Sequence, residues 1–193
     1  MDNKSLVTSN HVIYAQLNLI NDIRNNVFQL VMWSRSLINV IAFELKSVDA
    51  VTRKIYTLPT LFSNSFKPYM GDAIAQELQK LLFQHILIFI NIMNGLKSEN
   101  EQEVNKYIAE WYENADDIST YLAQVNIYWT RERWRLLLYY HLEMTLCEAI
   151  ALLSEDYEKG ITIYDRLQFH SSIIADYITR GLIKNIKANQ CLN

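Results

Sequence analysis

The chain has 193 residues, half of them hydrophobic and 20% charged, and 18 basic against 21 acidic residues leave a net charge of -3. Such a chain is long enough for one domain with a sizeable core and too apolar for disorder, and its scattered basic residues form no stripe for nucleic acid, so a mixed-charge solvated surface is expected. Four glycines and two prolines are too few turn formers for a sandwich or a barrel, which leaves long helices. The two cysteines, Cys147 and Cys191, make no disulfide framework and suit a reducing cytoplasm. The first ten residues are polar, so no signal peptide is expected. The two most apolar runs, 27–43 and 81–93, are each broken by polar residues and fall short of the roughly twenty apolar residues of a membrane span.

In chain order, residues 11–46 give one long helical pattern through Ile13, Leu17, Ile20, Val27, Val31, Ile38 and Ile41. Arg35, beside Val31 and Asn39, is expected to lie along the flank with its guanidinium in water. A short helix follows Ser47 and ends near Thr57. The segment 58–71 holds both prolines, each of which pushes the preceding residue out of helical geometry, so an irregular corner is expected there, with 66–71 as a lid or an elbow at one end. Asp72 then caps a helix over 72–97 with the stripe Ile74, Leu78, Leu81, His85, Ile88 and Ile92. Ser98 and Glu101 have the spacing of a capping box for a helix to about 125, which carries Trp111, Asn114 and Asp116.

Thr130 caps the central helix, and Trp129 can staple onto Trp134. Its inward stripe reads Trp134, Leu138, His141, Thr145, Glu148 and Leu152, of which three are polar and need partners when buried. Ser154 begins the last helix, running to about 188 with Ile163, Leu167, His170, Ile174 and Gly181 on one stripe and Asp176 on an adjoining face. The expected fold is all-α: an antiparallel bundle of four long helices plus one further amphipathic helix and a short connector, a single domain over 1–193 with flexible ends at 1–10 and 189–193.

His85, His141 and His170 fall mid-helix on three different seams. In an antiparallel bundle such positions share a level, so the imidazoles can converge with Glu148 or Asp176 as a divalent transition-metal site for zinc, manganese or iron. Arg35, Asn114, Asp116 and Thr145 would then orient the ligands or a substrate. Against this stands the simpler reading of neutral core histidines bonded to tyrosines or carbonyls, and of a Thr145 bonding back to its own helix. No Glu-x-x-His motif occurs, which disfavours a ferritin-like di-iron site, and the four glycines cannot spell a phosphate-binding loop.

From Trp33 to Ile186 the chain resembles a family of uncharacterised bacterial all-helical proteins, some of which carry the automatic label acetylglutamate kinase. Trp33 and Arg35 carry the resemblance, with Pro68-Tyr69-Met70-Gly71, Trp111-Tyr112-Glu113-Asn114-Ala115-Asp116, Asn126-Ile127-Tyr128-Trp129, His141-Leu142 with Thr145 and Glu148, Asp156-Tyr157, Ala175-Asp176 and Gly181-Leu182-Ile183. The related pattern has proline where Ile127 stands and histidines at the places of His85 and His141. It implies an all-helical fold and no activity, and the kinase label conflicts with the missing phosphate-binding loop. The functional expectation is therefore a cytoplasmic bundle with a buried His/carboxylate site that binds a metal ion. Its alternatives are a non-catalytic structural or regulatory homodimer, or a bundle holding a small organic ligand or haem. No membrane or nucleic-acid partner is expected.

Overall fold

Forty residues without a glycine or proline make α1 (Asn3–Ala42), the longest helix of this computed structural model, which describes the backbone of residues 3–190 and the side chains of 14–188. The expectation of flexible ends at 1–10 and 189–193 lies outside those side chains. The buried face of α1 runs through Leu19, Ile23, Val27, Val31 and Ile38, whereas Leu17, expected on the inner stripe, is 48% exposed. Then come α2 (Val48–Ile55), α3 (Leu58–Met70), α4 (Asp72–Lys97), α5 (Glu101–Val125), α6 (Arg131–Leu153) and α7 (Tyr157–Gln190). The fold is the expected all-α bundle, with five long helices and no strand among the described residues.

Short connections make α4, α5, α6 and α7 successive antiparallel neighbours. Cross-links set the direction of α1. Arg24 pairs with Asp176 and Arg35 bonds Gly160 O, so α1 and α7 run oppositely; Lys97 donates to Ala42 O at the shared end of α1 and α4. Inside, one cluster gathers Leu37, Ile38, Ile92, Met93, Trp111 and Leu142, and a second gathers Ile23, Phe66, Leu78, Trp129, Trp134 and Leu182.

The expected irregular corner over 58–71 is instead the helix α3. Pro59 sits in its first turn, where its missing N–H is no loss, and Pro68 sits in its last turn, where Gly71 N–H still closes on Lys67 O. Phe62 and Phe66 turn inward and are buried, so this segment is a wall of the core as well as a connector. Gly71, at φ 84°, makes the corner between α3 and α4 that an L side chain rarely adopts.

Three helix ends differ from the sequence reading. Asp72 is the first helical residue of α4 and pairs with Lys67 at 2.8 Å, with no capping bond. Asn100, and not Ser98, caps α5 by accepting from Glu103 N–H at 3.2 Å. Ser154 closes α6, and α7 starts at Tyr157 with Lys159 N–H donating to Asp156 Oδ1. At α6 the start is as expected: Thr130 Oγ1 accepts from Arg133 N–H, and the Trp129 and Trp134 rings meet edge to face at 5.7 Å.

Among the described residues α6 alone is long and apolar enough to cross a membrane, and 56% of its most apolar window is buried by other helices. It is the central helix, flanked by α5 and α7.

Candidate functional site

The inner stripe of α6 is built as its spacing implies. Trp134, His141, Thr145, Glu148 and Leu152 are all buried. Around it lie two separate polar sites and one apolar cavity.

At mid-height His85 from α4 and His141 from α6 line the same cavity, and His141 stacks on His170 from α7 with ring centroids 6.4 Å apart and planes at 21°. The three histidines therefore come to one level, strung in a row with different partners. Asn114 Nδ2 donates to Leu81 O, which fixes Asn114 Oδ1 as the acceptor facing His85 Nδ1 at 2.6 Å. His85 thus carries its proton on Nδ1 and keeps a lone pair on Nε2. Burial pulls its pKa down to about 4 against the opposing effect of Asn114, so the ring is neutral. His170 Nε2 donates to Leu137 O at 2.9 Å, and burial lowers its pKa as well.

His141 differs, because its Nδ1 is buried without a hydrogen-bond partner. Burial, with His170 and His85 nearby, takes its pKa down to about 3. Thr145 Oγ1 donates to His141 O at 2.9 Å, the bond back to its own helix, and so leaves the ring alone. Trp134, one turned pair of coils earlier on the same stripe, also has a ring nitrogen buried without a partner.

The cavity has a volume of about 70 Å³ and is walled almost wholly by carbon. Val27 and Val31 of α1, Phe62 and Phe66 of α3, Leu78 and Leu82 of α4, Ile118 and Leu122 of α5, and Ile174 and Ile178 of α7 complete its lining beside Trp134, His85 and His141. One water needs about 10–15 Å³, so this space exceeds a single packing defect.

The second polar site lies two turns along α6. Glu148, its side chain 2% exposed, holds the Arg35 guanidinium in an ion pair, and Arg35 also reaches Gly160 O at 3.4 Å. Arg35 lies 4.4 Å from the Tyr164 ring centroid, so an aromatic face covers the cation. The arginine expected to point outward points inward, to the buried Glu148 carboxylate. Burial still pushes Glu148 up to about 7, with Arg35 opposing. Tyr164 escaped the sequence reading, because its role depends on Arg35 arriving from another helix.

The two carboxylates proposed as ligands are thus elsewhere. Glu148 belongs to Arg35, and Asp176 pairs with Arg24 at 2.7 Å near the surface. Asp116 joins Arg135 at 2.9 Å between α5 and α6. Among the described residues no group of three or more His, Cys, Asp or Glu is placed to hold a metal ion. Of the expected orienting groups, Asn114 does hold a site histidine and Arg35 does hold Glu148. No family model matches the chain, and comparison with curated proteins and with solved structures gives no significant match.

Proposed function

We propose that this bundle binds a small, mainly apolar organic molecule in the cavity between His85, His141 and Trp134. The observation that supports it is the coincidence of an apolar internal space with two lining residues, Trp134 and His141, whose ring nitrogens lack partners. Native interiors rarely leave buried donors and acceptors unmatched or a dry space of this size unfilled. The volume, about half that of an engineered 150 Å³ cavity that takes benzene, suits a molecule smaller than benzene, such as a short alkyl alcohol, and is too small for haem. The body of the ligand would displace nothing polar, and one polar atom would serve the Trp134 N–H or His141 Nδ1.

Metal binding is the second reading, favoured by one observation. His85 and His170 each donate one ring N–H to an oxygen, the arrangement that presets the other nitrogen as a ligand. It would be an all-imidazole site that forms only if the rings turn toward one another, because as placed the three histidines make no ligand group.

One experiment separates the readings. Protein purified without a histidine tag or added metal is denatured, and the released fraction is analysed by mass spectrometry and for transition metals. An organic compound near one equivalent, lost when Leu122→Phe narrows the cavity, is the expected result. A metal near one equivalent, lost in His141→Ala, would replace the ligand reading. Release of neither, with no thermal shift from added n-propanol, pyrazole or zinc, would overturn both.

A further inference from the structure

The cavity wall is thinnest between α6 and α7. A surface groove there is lined by Tyr140, Asp165, Phe169 and His170. His170 stacks on His141, and His141 lines the cavity. Along the line through these rings, two imidazoles separate the groove from the cavity. Tyr140, 46% exposed, lies edge-on against His170 with ring centroids 4.9 Å apart.

Little holds the two rings in place. His141 Nδ1 is buried without a hydrogen-bond partner, and the His170 ring is tied by one bond, from Nε2–H to Leu137 O at 2.9 Å. Leu137 O is also where the His141 N–H closes the helix, so breaking the side-chain bond leaves no backbone group bare. A His170 ring turned outward would find water and the Asp165 carboxylate in the groove as partners for its N–H. Such a motion needs side-chain torsions alone. On the α1–α4 side, Leu30 and Leu82 are only half-buried, but they share a second small void with the buried Leu58 and Pro59 of α3. A route on that side would require α3 to lift.

We propose that small apolar molecules enter and leave the cavity through the α6–α7 wall, when His170 and His141 turn aside beneath Tyr140. The route rests on the ligand reading of the cavity, and xenon tests it apart from that reading, because xenon fills apolar cavities and needs no polar partner. Protein unfolded in urea and refolded, so that any bound compound is shed, is placed under xenon, and saturation-transfer NMR gives the exchange rate of the bound gas. Tyr140→Ala, at an exposed position, and His170→Ala are each expected to speed exchange by about five- to tenfold, the factor that one lost aromatic contact or hydrogen bond corresponds to. Leu82→Ala, on the α3 side, is expected to stay near the wild-type rate. Circular dichroism and urea midpoints check that the variants fold, and a gain in Tyr140→Ala at an unchanged midpoint separates the route from general loosening. Equal rates in the wild type, Tyr140→Ala and His170→Ala overturn the proposal, as does an equal gain in Leu82→Ala; both results leave the ligand reading standing. A wild-type cavity that takes up no xenon overturns it too, and leaves only a ligand trapped during folding.

Discussion

Arg35 and Glu148 show burial and charge in direct opposition. Glu148 is nearly sealed from solvent and Arg35 is 19% exposed at its side chain, so the carboxylate has exchanged water for one guanidinium, and its pKa near 7 shows that the exchange is incomplete. Removing only the cation leaves a buried carboxyl without a partner. Arg35→Met is expected to lower stability by about 3–5 kcal/mol in urea unfolding at pH 8, and Arg35→Met/Glu148→Leu to regain most of that loss. Equal losses in the single and double variants would mean that Arg35 acts through its packing on Tyr164. At this scale the sequence was readable where a residue type forbids most environments. His85, His141, Thr145 and Glu148 were placed in the seam from spacing alone, and all four are buried. Their partners were not readable, because a partner depends on the rotation of another helix: a small turn of α1 brings Arg35 inward, and Asp176 meets Arg24 across 152 positions of sequence.

Helix ends were harder to read than helix bodies, and glycine explains much of it. Three helices, α1, α4 and α6, end in the same way, with Glu44, Glu99 and Glu155 in left-handed geometry at φ 53°, 53° and 59°. In each the following N–H reaches back five residues: Leu45 to Val40 O, Asn100 to Gly95 O, and Asp156 to Ala151 O. This is the helix-closing motif in which glycine usually stands, and here no glycine marks it. The reading of Ser98 and Ser154 as helix starts followed from that missing punctuation. The cost of a side chain in this geometry makes a test. Glu99→Gly is expected to raise stability by about 0.5–1 kcal/mol relative to the wild type, because the left-handed strain it relieves exceeds the extra freedom given to the unfolded chain. An unchanged or lowered urea midpoint would show that Glu99 gains as much from its surroundings as its backbone loses. At α3 the prolines differ: Pro59 falls in the first turn, where a helix loses nothing by it, whereas Pro68 lies inside the helix and gives up one backbone bond two residues before its end.

At the scale of the molecule, the buried titratable groups pull stability in opposite directions with pH. His85 and His141 have folded pKa values of about 4 and about 3, below the ordinary 6.5, so the unfolded chain binds two more protons there and stability falls as pH drops below 6.5. Glu148 has a folded pKa of about 7, above the ordinary 4.5, so the folded chain holds one more proton and stability falls as pH rises from 4.5 to 7. Between 4.5 and 6.5 these three groups leave the unfolded state ahead by about one proton, a rise in stability of roughly 1.4 kcal/mol per pH unit, and His170, whose pKa burial also lowers, adds to it in the same direction. Glu148→Gln removes the opposing contribution while keeping the shape of the side chain. Urea unfolding at pH 4.5, 5.5 and 6.5 should therefore show the variant gaining on the wild type by about 1.4 kcal/mol for each unit of pH. A difference that does not change with pH would mean that Glu148 is ionised across the range and that Arg35 outweighs burial. A pH dependence carried by the histidines would then stand alone, and its reduction by about one proton in His141→Leu would assign that share to the imidazole that lines the cavity.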